Sequence, residues 1–487
     1  MGEGWFAVTV TVLLLVIDIT IRVIAILVVP LNRRPQTATA WLLAIFLIPY
    51  IGFILFLLLG SNRLPKRRRA KQEQINKLIF EATEGVDEAQ RNDEWPSWLH
   101  TSVALNRALG AMPLVSGNRA KLLTDYKTSI QAMTDAVNAA TKYVHSEFYI
   151  MNLDDTSAPY FDALENAAKR GVTVRVLLDH VASLRYPGYR RTIRRLKASG
   201  VQWHLMLPVQ PFKGRYQRID LRNHRKLLVV DGRVAYTGSQ NMIDASYNKR
   251  SNKRQGLQWK DLMVRFDGPI VAGINALFLS DWYAETDELL LREVPELVAE
   301  KSGSTVDCQV VPSGPAFKGE NNLRLFNDLL YAAQEKIIIT SPYFVPDESM
   351  LYAITTAAQS GIDVQLFVSE VADQKVVYHA QCSYYEALLQ AGVRIWLYQS
   401  PTVLHAKHFT IDDDVAVIGS SNMDMRSFSL NLEISVMVHG RTFVDELRTL
   451  EAEYRANSRE LTLEEWQARP VRSVVLDNLA RLTSTVQ

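Results

Sequence analysis

Two stretches of this chain carry the same reactive side chains in the same order. The pattern His-x-Lys-x4-Asp-x6-Gly-Ser-x-Asn occurs as His224, Lys226, Asp231, Gly238, Ser239 and Asn241. It recurs as His405, Lys407, Asp412, Gly419, Ser420 and Asn422, every position shifted by 181 residues. Residues two apart on a strand share a face, so each histidine and its lysine point the same way. An imidazole beside an ammonium suits a phosphodiester. The ammonium neutralises a non-bridging oxygen while the imidazole nitrogen attacks phosphorus. Gly allows close backbone approach, and Ser and Asn offer neutral hydrogen bonds to phosphate oxygens. Chemistry of this kind rests on positioning and charge stabilisation.

One copy would be incomplete. Displacement at phosphorus needs an attacker on one side and a proton donor for the departing alkoxide on the other. Two copies facing each other across one phosphate supply both. Metal binding is the competing use of His224 and His405. No His/Cys/Asp/Glu cluster at ligand spacing accompanies them, and each is followed by a lysine that repels cations. The expectation is therefore no catalytic metal and no cofactor.

The elements that carry these motifs are duplicated too. Tyr143–Ile150 resembles Ile337–Phe344, Gly171–Leu178 resembles Gly361–Val368, and Gly200–Trp203 resembles Gly392–Ile395. Helical patterns such as Tyr160–Arg170 and Met350–Ser360 separate these short β-branched runs. The alternation predicts an α/β fold with mixed, largely parallel sheets in two halves, residues 95–300 and 301–487. From Gly200 to His224 is 24 residues, but from Gly392 to His405 only 13. The extra length near Leu207–Arg222 sits immediately before the first motif, a natural place to shape substrate choice.

A chain of 487 residues, 48% hydrophobic and 22% charged, has room for two or three domains. Its net charge of +2 says little about partners, and Cys308 and Cys382 are expected to be reduced thiols. Trp5–Val29 and Ala38–Gly60 are apolar, and each is long enough for one membrane span. A transmembrane hairpin over residues 1–62 follows, with Asp18 and Arg22 as a neutralised pair on one face. Two basic residues in the connection, Arg33 and Arg34, against six from Arg63 to Lys71 place the body on the cytoplasmic side. Residues 63–94 read as a basic helical linker, whose charge either sets topology alone or also holds anionic headgroups.

The twin motifs resemble those of the phospholipase D superfamily, and their combination is similar to that of its bacterial cardiolipin synthases. Further likeness lies in Arg34-Pro35, Ala40–Leu43, Pro49–Gly60, Gly117-Asn118, Ser341–Asp347 and Ser427–Glu433. The resemblance spans essentially the whole chain. It implies that one of His224 and His405 forms a covalent phosphohistidine and the other is its acid and base, with His224 preferred as nucleophile. It implies phosphate-binding roles for Lys226, Lys407, Asn241 and Asn422, and places Asp231 and Asp412 in the motif as turn supports. An acidic residue after each motif orients its histidine: Glu433 in the second copy and, at a looser spacing, Asp261 in the first. The implied reaction joins two phosphatidylglycerols into cardiolipin and glycerol at the cell membrane. The implied partners are anionic lipids and the bilayer, not nucleic acid. The basic stretch Arg185–Lys197, with Lys213, Arg215, Arg218 and Arg222, is then expected to face headgroups or, in its first half, simply solvent. Hydrolysis of a lipid or nucleic acid, with water as acceptor, is the rival. An inactive scaffold is the third reading, disfavoured by complete motifs in both copies.

Overall fold

The computed structural model describes residues 2–31, 33–61, 63–86, 95–213, 215–290, 305–317, 319–371 and 373–483. The chain forms two compact units, Met1–Arg63 and Leu64–Gln487.

In the first unit, Gly4–Val28 is one apolar helical stretch of 25 residues, long enough to cross a hydrocarbon core. Asp18 and Arg22 form an ion pair on it, Nε to Oδ2 2.9 Å. The second apolar run, expected as one span, is instead two shorter helices, Pro35–Leu47 and Pro49–Leu59. Pro49 is the cause: it disfavours helical geometry at the preceding residue, and Ile48 leaves the helix at φ −134°, ψ 73°. The two pieces fold back on each other. A Cβ on Gly52 would sit 2.5 Å from the Ala44 carbonyl oxygen. At the other end, Arg33 Nε–H donates to Gly60 O at 3.0 Å.

The second unit is built on one large mixed sheet. From one edge, the first half runs Gln202–Met206, Thr173–Asp179, Tyr143–Phe148, Lys226–Val230, Val234–Gly238, Met263–Asp267 and Leu114–Leu123. From the other side, the second half repeats that order: Arg394–Tyr398, Asp363–Ser369, Lys336–Thr340, His408–Ile411, Val415–Gly419, Asn431–His439 and Val306–Ser313. The halves meet where Leu114–Leu123 pairs antiparallel with Val306–Ser313. Equivalent strands paired antiparallel are what a pseudo-twofold axis requires. The duplication expected from sequence is thus the plan of the sheet.

Along the large sheet, the three outer repeat strands of each half pair parallel, and the strands between them pair antiparallel. The motif strands are antiparallel to their neighbours, because short turns join Lys226–Val230 to Val234–Gly238 and His408–Ile411 to Val415–Gly419. Helix Ile270–Thr286 buries residues on nearly every side against the sheet. Helix Lys66–Ala82 lies on it, with Lys71 Nζ donating to Tyr283 O at 2.7 Å and Arg68 pairing with Glu285 at 2.6 Å.

The repeated Asp and Gly now have physical reasons. Asp231 and Asp412 close the far end of each motif strand, with positive φ of 54° and 48°. Asp231 accepts from the backbone N–H of Thr141, Lys142 and Tyr143, and Asp412 from those of Gln334, Glu335 and Lys336. These aspartates therefore anchor the neighbouring strand and stand at the opposite end from the histidines. Their role is structural, the turn support expected from sequence, and they make no contact with either histidine ring among the described residues. At Gly238 and Gly419 the next strand passes so close that a Cβ would lie 2.2 Å from the carbonyl oxygens of Leu262 and Ile434. Replacing Asp412 with Ala is expected to lower stability by about 2 kcal/mol through three orphaned donors. Thermal unfolding checks this, while turnover per folded molecule stays close to the parent's.

Candidate active site

Each motif histidine is buried and held by a carboxylate from the other half. His224 donates Nδ1–H to Glu433, 2.9 Å to Oε1 and 3.0 Å to Oε2. His405 donates Nδ1–H to Asp261 Oδ1 at 2.6 Å. The backbone sets up this crossing. Arg222–Asn223 runs parallel to Asn431–Leu432, and the His224 N–H bonds to Leu432 O at 2.8 Å. In the mirror arrangement, Gln258–Lys260 runs parallel to Thr402–Leu404, and the His405 N–H bonds to Lys260 O at 2.8 Å. The sequence reading paired each acid with the histidine of its own half. The exchange of these short strands reverses that pairing, and it gives Asp261 as firm a place as Glu433.

The motif serines serve the acids. Ser239 Oγ donates to Asp261 at 2.6 Å, and Ser420 Oγ to Glu433 at 2.5 Å. A buried carboxylate needs donors, which these hydroxyls provide in place of the phosphate contacts expected from sequence. Asn241 and Asn422 do line the cavity. Asn241 donates to the Tyr247 hydroxyl at 2.8 Å and Asn422 to Asp424 at 3.1 Å. Lys226 and Lys407 are buried and donate to the backbone carbonyls of His224 and His405 at 2.5 and 2.6 Å.

Both rings line one cavity of about 700 Å³, and with Nδ1 engaged each has Nε2 left for chemistry there. Tyr149 meets His224 edge to face at 4.7 Å between centroids, and Tyr343 meets His405 at 6.5 Å. These tyrosines occupy equivalent positions in the repeated strands Tyr143–Ile150 and Ile337–Phe344, so the repeat itself could have singled them out. Tyr247, Trp259, Asp424 and Arg426 also line the cavity, and only the fold reveals them. A separate apolar cavity of about 450 Å³ near Ile79 and Ile270 is lined, among the described residues, by no titratable group.

The two histidines differ electrically. Burial, then Lys226 and Lys407, pushes His224 well below the ordinary histidine value. Burial also lowers His405, but Asp261 opposes the shift. Asp261 itself would be raised by burial, yet His405, Lys407 and Ser239 hold it below the usual carboxylate range. Burial raises Glu433 to about 7 against the pull of Lys226. Burial brings Lys407 down to about 8 and Lys226 well below its ordinary value. The Asp261–His405 pair is thus the better support for an imidazolium, and His224 the better neutral nucleophile. An anionic phosphate between the lysines would favour their charged forms.

Residues 133–282 and 326–452 match the family described as cardiolipin synthase, PLD-like domain, and residues 14–61 match the phospholipase D-nuclease N-terminal family. Cardiolipin synthase A of Proteus mirabilis is 32% identical over 477 residues, covering 96% of this chain and 95% of that protein. A cardiolipin synthase of Halalkalibacterium halodurans is 33% identical over 488 residues, covering 99% and 94%. The crystal structure of a phosphatidylserine synthase from Haemophilus influenzae shares the fold at a TM-score of 0.59 and 14% identity, covering 79% of this chain and 99% of its own.

Glu433 is the histidine-orienting acid placed to titrate near neutrality. As pH falls through about 7 it takes up a proton, and His224 loses its charged partner. The expected kcat/KM profile declines on the acid side of that value, and Glu433→Gln lowers turnover and flattens that limb.

Proposed function

The chain belongs to the cardiolipin synthase family with paired phospholipase D-like domains, and we propose that it transfers a phosphatidyl group from one phosphatidylglycerol to another, yielding cardiolipin and glycerol. The observation that carries this reading is the pair of crossed histidine–carboxylate contacts facing one cavity.

Neutral His224 attacks phosphorus through Nε2, forming a P–N bond as the P–O bond to glycerol breaks. Protonated His405 gives its Nε2 proton to the departing oxygen. A second phosphatidylglycerol then enters. Its glycerol hydroxyl loses a proton to His405, attacks phosphorus and breaks the P–N bond, which restores neutral His224. Lys226 and Lys407 neutralise the non-bridging oxygens, and Asn241 and Asn422 hold them. Glu433 and Asp261 fix ring orientation, and Ser239 and Ser420 fix the acids.

Membrane association suits phospholipid substrates, and a tethered enzyme meets them in two dimensions. Residues 1–62 form the membrane segment, 63–94 connect it to the body, and the halves extend over 95–300 and 301–487. The Arg33–Gly60 contact draws both ends of the second apolar run to one membrane face. Gly4–Val28 is then the crossing helix, and the run after it dips into the bilayer and returns. The six basic residues from Arg63 to Lys71 favour a body on the cytoplasmic side.

Incubation of the purified chain with phosphatidylglycerol in vesicles is expected to give cardiolipin and glycerol. Phosphatidic acid as sole lipid product would overturn transfer in favour of hydrolysis. His405→Ala is expected to lower turnover about 10²–10⁴-fold on phosphatidylglycerol. It should lose far less on a diester with a p-nitrophenolate leaving group, which departs without a proton. His224→Ala is expected to lose both, and the reverse pattern would exchange the roles.

A further inference from the structure

The extra loop of the first half leaves an unusual surface at the mouth of the catalytic cavity. Ile219, in that loop, is 48% exposed and Val376 56% exposed, and both line the cavity. Leu184, 52% exposed, directly precedes Arg185 and Tyr186, which also line it. Leu184 ends the short helix His180–Leu184, and the extra loop is fastened to this helix by Val209 N–H donating to His180 Nδ1 at 3.1 Å. At the turn of that loop Phe212 is fully exposed. Single exposed apolar residues are ordinary on protein surfaces, but two in the lining of one catalytic cavity, with two more on the helix and loop next to lining residues in the chain, are not.

Cations stand beside them in the chain. Arg185 follows Leu184, and exposed Lys375 precedes Val376. Lys249, another lining residue, lies over the Tyr186 ring at 4.9 Å. The carboxylates at this mouth are engaged: Asp220 pairs with Arg218, and Asp373 accepts from the Tyr343 hydroxyl at 2.8 Å. Apolar side chains flanked by cations match a bilayer surface, acyl carbon below and anionic headgroups above.

We propose that Leu184, Phe212, Ile219 and Val376 form a rim that inserts into the surface of an anionic bilayer, so that the cavity opens onto lipid rather than water. This rests on the lipid-transfer reading and extends it to the route by which lipid enters. The longer loop of the first half has a purpose here, since it carries two of the four rim residues. The second half, with its shorter connection, needs no such loop once one side of the mouth is sealed.

The test uses the full chain, carrying His224→Ala so that lipid is not consumed, reconstituted in vesicles of phosphatidylglycerol and phosphatidylcholine with brominated acyl chains. A fluorophore is attached through Leu184→Cys, Phe212→Cys, Ile219→Cys or Val376→Cys, one at a time. Cys308 and Cys382 are buried and should remain unlabelled. Controls are Tyr331→Cys and Tyr352→Cys, exposed positions outside the cavity lining. Quenching by bromolipid is expected to be severalfold stronger at the rim positions than at the controls, with matching protection from aqueous iodide. Equal quenching at rim and control positions overturns the proposal. Protection from iodide without bromolipid quenching also overturns it, because the rim then faces another protein. Because the variant does not turn over, failure of the transfer reading in product analysis stays distinct from failure of docking.

Discussion

The site depends on an exchange of short strands between the two halves of the sheet. Arg222–Asn223 lies along Asn431–Leu432, and Gln258–Lys260 lies along Thr402–Leu404. That exchange brings Glu433 to His224 and Asp261 to His405. Neither half could orient its own imidazole. The arrangement ties catalysis to the fit of the halves, because a small shift across the pseudo-twofold axis would disturb both rings together. It also accounts for the glycines: Gly238 and Gly419 let the acid-bearing strands pass close enough to reach across.

Near-symmetry in geometry coexists with asymmetry in charge, and the reaction needs both. Two alike rings can face one phosphorus atom only if they are related by rotation. An attacker and a proton donor must nevertheless differ in protonation. Here the difference comes from the second contacts. Asp261 remains ionised beside His405, whereas Glu433 sits near 7 beside a histidine that burial and two lysines keep neutral. Arg225, buried behind His224 and paired with Asp281, has Ala406 as its repeat equivalent, so the supporting layer is asymmetric as well.

The sequence made much of this legible because duplication repeats its own evidence. The six motif positions, the α/β alternation and the longer first loop are all visible as agreements or disagreements between copies. The crossing was not visible, because a repeat shows which residues correspond and not which copy touches which. The serines were misread for a related reason: a hydroxyl near a phosphate site offers the same donor to a carboxylate, and only burial decides between them. The central strands proved antiparallel because the turns between them are short. In the membrane segment, one proline within an otherwise apolar run turned an expected span into two short helices.

A structure of the full chain with bound vanadate would test the central claim most directly. The account predicts one vanadate between the two rings, with His224 Nε2 bonded to the metal centre, His405 Nε2 on the opposite face, and the crossed carboxylate contacts intact. Vanadate bound to one ring with the other turned away, or each histidine held by its own half's acid, would contradict it.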